Sequence, residues 1–399
     1  MDLYKDLLNE NKWNEFLESK IKSNFLSKKE IKELSIFINE KQYLPICNLI
    51  VSGKYNFSIP KKITINKLGN SKKRTVYMFN DDEVIILKFI NYLLYDYDSI
   101  FSSNLYSFRK SKSVKDAITR IKNMYNLNNM YAYKVDISNY FNSVPIDKLL
   151  INLNKDFDDN LYNLFETILS NKKVIYNDQI IEEQKGIMAG VPISSFLANY
   201  YLKDMDLYFE KKNILYFRYA DDILVLSNSL DKLNEYKNII IKYLLDSGLN
   251  INFNKEYIFK PKENIEFLGF EIDGKIIDIS KIQLKKIKDK IRRSAKSFRR
   301  WKINKNIDDN VVLSSMNKKF NRKFYGKDSD ELSWKYYFFP LISTTKSLHE
   351  IDLYMQQWQR YVITGVHNKK NYEKVTYDFL KSCGYKSLVH EYYEFDDES

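Results

Sequence analysis

Cysteine is nearly missing from this chain. Its 399 residues contain two, Cys47 and Cys383, far apart and outside any CxxC pattern or His spacing suited to a metal. That excludes a disulfide scaffold and a zinc site, and it predicts a reducing, intracellular setting. Apolar runs of membrane-spanning length are also lacking. The opening MDLYKDLLNENKW carries charges throughout, so a cytoplasmic protein without a membrane partner is expected. Glycine (10) and proline (6) are scarce while Lys, Asn, Ile, Tyr and Phe abound, which is what an A+T-rich coding bias produces. The net charge of +12 and the 32 tyrosines suit a polyanionic partner, but that bias leaves them little weight alone. The length suffices for a large core and two or three subdomains.

What is present centres on Tyr219-Ala220-Asp221-Asp222. Ile214–Phe217 precede it and Ile223–Leu226 follow, a pattern of two buried strands joined by a very tight turn. Asn-Gly or Asp-Gly is the usual occupant of such a turn. Two adjacent carboxylates there repel one another and lose hydration unless a cation neutralises them. A solvated acidic turn is the competing account, and it weakens once a third carboxylate joins the pair. Tyr131, Tyr133 and Val135 alternate with Ala132 and Lys134 and lead to Asp136 at a strand end. Three carboxylates so placed match what two divalent ions about 3.5–4 Å apart require. Hard oxygen ligands favour Mg²⁺ over zinc.

Asp136 with Phe141 five residues on, the segment GIMAGVPISSFLAN, YADD, and FLGF at 267–270 follow one another in an order that resembles the reverse transcriptases. The likeness is to the bacterial group that includes group II intron, retron and phage-defence enzymes, and most of all to divergent defence-associated and abortive-infection members. It implies an α+β, right-hand polymerase with fingers, an antiparallel-sheet palm and a helical thumb. The expected domains are an N-terminal helical extension (1–55), fingers and palm (56–279, with fingers at about 56–130 and 146–185) and a thumb region (280–399).

The resemblance further implies RNA-directed DNA synthesis. Asp136, Asp221 and Asp222 would be catalytic, and with Ile137 they would hold two Mg²⁺ ions, Mn²⁺ substituting. Lys67 and Arg74 would clamp the triphosphate from a hairpin at 59–81 that turns at Gly69-Asn70. Phe141 would be the steric gate against a 2′-hydroxyl, Ala189 and Gly190 would face the incoming dNTP, and Lys255, on a strand, would protonate the leaving pyrophosphate. Phe267, Leu268 and Gly269 would grip the primer. Arg109 would contact template phosphates. Many relatives have Gln-Gly where this chain has Ala189-Gly190, which removes a side-chain contact to the nucleotide.

Beyond residue 280, Leu284, Ile287, Ile291, Ala295 and Phe298 share one helical stripe while Lys285, Lys288, Arg292, Arg293, Lys296, Arg299 and Arg300 lie largely elsewhere. A helix tracking duplex phosphates is the natural assignment; a solvated helix exterior competes with it. The chain shows no HNH or zinc-type endonuclease residues and no carboxylate set for an RNase H domain. The expected partners are an RNA template (a dedicated noncoding RNA), the DNA product and dNTPs, with a second copy or a partner protein as further candidates. Two rivals remain: a template-independent or protein-primed nucleotidyltransferase, and a non-catalytic RNA-binding protein on a polymerase scaffold.

Overall fold

The computed structural model describes residues 3–23, 26–66, 73–326 and 333–397. The chain divides into two compact units, Met1–Ala117 with Asn129–Glu263, and Ile118–Asn128 with Asn264–Ser399.

Among its described residues the first unit carries eight strands: β1 (Lys61–Asn66), β2 (Lys73–Met78), β3 (Tyr131–Asp136), β4 (Lys173–Tyr176), β5 (Gln179–Glu182), β6 (Leu215–Tyr219), β7 (Asp222–Ser227) and β8 (Tyr257–Phe259). They form two sheets, ordered β2-β1-β4-β5 and β6-β7-β3-β8, antiparallel throughout except where β1 meets β4. Ile223 to Leu226 of β7 are all buried, as are Ala132, Tyr133 and Val135 of β3. Both central strands are therefore covered on both faces, which is why β7 reads as a near-continuous apolar run. The helix Leu230–Asp246 packs on them, and Lys203–Lys211 packs on β6.

The N-terminal helices join the same core through aromatic stacking. Trp13 is fully buried, its ring 3.8 Å from Phe89 and 4.4 Å from Tyr43, and its indole N–H donates to the Leu7 carbonyl. A buried Trp with its one donor satisfied contributes large apolar area without an orphaned polar group.

Several local expectations change. The hairpin at 59–81 forms, with register from Lys61↔Met78 to Asn66↔Lys73, but Lys67 and the expected Gly69-Asn70 turn lie outside the described residues. The helix Asp81–Leu94 tightens at its end into a 3₁₀ turn, Tyr95–Ile100, whose Asp98 is held by Arg109. The Gly-rich segment leads into the helix Ser194–Tyr201, and a second helix, Lys203–Lys211, follows after Leu202. Lys255 lies on a 3₁₀ turn, Phe253–Lys255, rather than on a strand, because the Asn252 N–H is drawn to the Asp136 carbonyl (2.7 Å).

In the second unit β9 (Ile265–Phe267), β10 (Phe270–Asp273) and β11 (Ile276–Ile279) form an antiparallel sheet ordered β11-β10-β9. Ser280 then starts the helix Lys281–Lys305, its hydroxyl accepting the Gln283 N–H. The predicted stripe faces inward, with Ile287, Ile291 and Ala295 buried, and this helix packs chiefly along Lys346–Thr364. Buried Asp352 accepts four hydrogen bonds, from the Tyr385 and Ser387 hydroxyls and the Leu388 and Val389 N–H groups, so it caps the last helix, Leu388–Asp397. Among the described residues no helix is long and apolar enough to cross a membrane.

Candidate active site

The β6–β7 hairpin turns on two residues, Ala220 and Asp221, with Tyr219 opposite Asp222. Ala220 adopts φ +55°, a conformation an alanine holds only when its surroundings impose it. They do so from two sides. The Ala220 N–H donates to the Ser107 hydroxyl (2.8 Å), which in turn donates to Asn199 (3.1 Å), and Arg218 donates to the Ala220 carbonyl (3.2 Å).

Arg218 is the part of this support that the strand pattern concealed. It has no exposed surface and pairs with Asp206, equally buried, through Nε at 2.8 Å and Nη2 at 2.5 Å; the Tyr216 hydroxyl adds a third donor to Asp206. Burial pushes the Asp206 carboxyl up, but the Arg218 charge and three donors oppose it, and we assign both groups as charged. A lone Arg inside the apolar run LYFRY was the available signal.

Asp136 ends β3 directly opposite Asp222, and the Ile137 N–H donates to the Asp221 carbonyl at 3.0 Å. The strand register therefore brings the three carboxylates to one sheet end. Asp136 is 5% exposed. Burial first, then the charges of Asp136 and Asp222, push the Asp221 carboxyl up to about 6. Lys255 relieves part of this charge by donating to Asp136 Oδ2 at 2.5 Å. Burial draws the Lys255 ammonium down, but that bond and the surrounding carboxylates outweigh it and leave it raised. The donor set suits a hard divalent cation. Among the described residues no three acidic side chains are yet gathered about a single point, and the ammonium holds the Asp136 oxygen that a metal would use.

Around this centre, Phe141 is half-buried with its ring 6.0 Å from Phe108, which is 41% exposed and left-handed at φ +52°. Tyr219 lies 6.5 Å from Phe108, so three aromatic rings flank the acidic turn. Ala189 is buried, and its N–H bonds to the Asn142 side chain (2.9 Å), whose amide donates to the Thr75 carbonyl of β2. Asn142, which sequence reasoning passed over, thus ties β2 to the Gly-rich segment. The glycines serve this same packing. A Cβ on Gly186 would lie 2.4 Å from the Phe141 carbonyl oxygen, and one on Gly190 3.1 Å from that of Tyr77. The close approach they permit is of the chain to itself. Arg74 is exposed on β2, while Lys62 of the same basic cluster is paired with Glu183.

Two arginines expected to meet nucleic acid are engaged by groups of the chain itself. Arg109 is engaged inside the fold: it grips Asp98 through Nε and Nη2 and donates to the Asp98, Ser102 and Leu105 carbonyls. Arg299 donates to the Val362 and Ile363 carbonyls (3.1 and 3.2 Å) and so caps the C-terminus of Lys346–Thr364, where a cation complements the helix dipole. Lys288 is paired with Glu350, and Arg292 with Asp289 on its own helix. Lys285, Arg292, Arg293, Lys296 and Arg300 are exposed. In the second unit Phe267 pairs with Phe270 across a two-residue turn of Leu268 (φ +51°) and Gly269 (φ +87°), and the Tyr337 hydroxyl donates to the Leu268 carbonyl.

The family model described as reverse transcriptase (RNA-dependent DNA polymerase) matches residues 59–272. The chain is 25% identical to a COX1/OXI3 intron 2 protein of Saccharomyces cerevisiae over 289 residues, covering 56% of this chain and 33% of that protein. It is 24% identical to the retron Ec86 reverse transcriptase of Escherichia coli over 251 residues, covering 61% and 71%. It is 30% identical to Protein P of Duck hepatitis B virus over 105 residues, 26% and 13%. The chain thus spans a third or less of the yeast and viral proteins. A telomerase structure from Candida tropicalis aligns with TM-score 0.45 and 13% identity over 61% of this chain and 60% of that one. The family match covers more than half of the chain and contains the three-carboxylate sheet end: this protein belongs to the reverse transcriptase family.

Proposed function

We propose that the chain is an RNA-directed DNA polymerase that adds deoxynucleotides to a primer 3′ end. The observation that carries this is the register Asp136↔Asp222 with Asp221 on the adjoining turn, inside the family match. Family members generally use divalent metal ions. Here Asp136, Asp221, Asp222 and Ile137 would hold two Mg²⁺, with Mn²⁺ able to substitute, and those ions would supply charge neutralisation for attack at the α-phosphate.

The chain's own residues do the remaining work by position. Phe141, braced by Phe108, closes the space beneath the sugar and selects deoxynucleotides. Lys67 and Arg74 draw in the triphosphate. Lys255 Nζ, once released from Asp136 Oδ2, supplies a proton to the leaving pyrophosphate. Phe267, Leu268 and Gly269 hold the primer end, and Lys285, Arg292, Arg293, Lys296 and Arg300 track backbone phosphates. The division into 1–55, 56–279 and 280–399 is proposed on the same basis, as is action in the cytoplasm.

A role in antiphage defence with a dedicated noncoding RNA is supported by the Ala189-Gly190 departure, which resembles divergent defence-associated members, and by the similarity to a retron enzyme. The buried Ala189 offers the nucleotide no side chain, which favours untemplated synthesis as the second reading. Sequencing nucleic acid co-purified with wild type and with an Asp221→Ala, Asp222→Ala double variant tests both. Complementary DNA of one small RNA, lost in the variant, supports templated synthesis. Homopolymeric DNA supports the second reading, and RNA without DNA in either sample leaves a binding protein.

A further inference from the structure

Arg360 has no role in the chemistry above. It lies on the helix Lys346–Thr364 and is 3% exposed. Its Nε donates to the Val375 carbonyl at 3.0 Å, and its guanidinium lies over the Tyr372 ring, 4.1 Å from the centroid. Its Nη1 is buried and, among the described residues, has no hydrogen-bond partner. Burial lowers the Arg360 pKa, and the groups that oppose this are the phenols of Tyr372 and Tyr385, not a carboxylate. A guanidinium does not lose its proton in a protein. A buried cation with no counter-ion among the described residues and with an orphaned N–H is costly, and such groups in native folds are answered by water or a bound ion.

The space beside it supports the second answer. A cavity of about 540 Å³ is lined by Arg360, His367, Asn368, Lys369, Asn371 and Tyr372. Its local sequence, HNKKNYEK, brings Lys369, Lys370 and Lys374 against Glu373 alone. His367 is fixed at the rim, stacked 4.9 Å from Tyr361 and edge-on to Trp358 at 4.7 Å. The Asn371 amide donates to the Val366 carbonyl, which ties the loop that carries these groups.

We propose that this cavity is an anion site that takes a phosphoryl group, with the Arg360 guanidinium as the central donor and Lys369 at its mouth. A planar guanidinium stacked on an aromatic ring presents its N–H edge to such oxygens. The site is independent of the polymerase assignment, since none of its residues serves that chemistry. The phosphoryl group comes either from free phosphate or from the end of a nucleic acid.

The test is calorimetric titration of the full chain, in chelator and at constant ionic strength, with inorganic phosphate, a 5′-phosphorylated dinucleotide and its 5′-hydroxyl counterpart. Phosphate binds wild type, and Arg360→Gln weakens it by roughly tenfold or more, as expected for loss of a hydrogen bond to a charged group. Lys369→Ala, at an exposed position, weakens it several-fold and decides the matter should Arg360→Gln not fold. A phosphorylated dinucleotide that outbinds both other probes assigns the site to a nucleic-acid end; parity with inorganic phosphate assigns it to a small ligand. No binding of either phosphorylated probe, or binding unchanged in Lys369→Ala and in any folded Arg360→Gln, overturns the proposal.

Discussion

Replacing Asp206 by Asn leaves the Arg218 guanidinium in a fully buried place with its charge uncompensated. In the native fold Arg218 makes contacts to both Asp206 oxygens and to the Ala220 and Asn199 carbonyls. The Asn keeps the shape and one acceptor but removes the counter-charge. Breaking one partner of a buried pair costs about 3–5 kcal/mol. In a unit of this size about 1 kcal/mol moves the midpoint by roughly 2–4 °C, so the expected fall is roughly 6–20 °C. The double variant Asp206→Leu, Arg218→Met should recover much of that loss, because apolar replacements of similar volume leave no orphaned charge. It should not recover polymerisation, since the Ala220 carbonyl loses its donor and the turn carrying Asp221 loosens. Urea unfolding of the two single variants and the double variant, with primer extension alongside, measures both. A loss below about 1 kcal/mol in Asp206→Asn would refute the reasoning, because it would mean that Asp206 is neutral in the native fold.

Lys255→Gln removes the ammonium that holds Asp136 Oδ2, the oxygen a metal would use; Mn²⁺ titration followed by electron paramagnetic resonance should show affinity tightened about two- to fivefold while primer extension falls, the modest size reflecting a half-exposed lysine. Weaker Mn²⁺ binding would contradict the competition. Asn142→Ala severs the link between β2 and the Gly-rich segment, and it should cost about 1–3 kcal/mol and speed hydrogen exchange at the Ala189 amide; unchanged exchange there would exclude the link. Burial lowers the Lys185 pKa to about 8, against a weak opposing pull from Glu183. The unfolded chain therefore binds this proton more tightly. The penalty is full below pH 8 and lifts as pH rises towards 10.5, so the stability of wild type relative to Lys185→Met should grow over pH 8–10. A flat difference across that window would show that Lys185 is not buried as a cation.

Much of the candidate site was legible in the chain itself. Apolar runs on either side of Ala220-Asp221 can only be covered strands, and the period-2 pattern before Asp136 ends in a carboxylate, so a sheet end with three acids follows from hydrophobic alternation and turn length. The stripe Leu284–Phe298 was equally readable, because helical periodicity separates an inward face from a charged one whatever it packs against. Arginines were not legible in this way. Arg109, Arg299 and Arg360 look alike in sequence to Arg293 or Arg300, yet the first grips Asp98, the second caps a helix 62 to 64 residues away and the third lies buried beside a cavity. A guanidinium on a long stem takes whichever acceptors the fold brings within reach, and those acceptors are mostly carbonyls, which every residue carries and no sequence distinguishes. The same holds for Asn142 and for the left-handed Ala220. Local pattern determined which segments would be strands and which faces would be buried; only tertiary contact decided which polar groups were spent on the fold and which were left to meet a ligand.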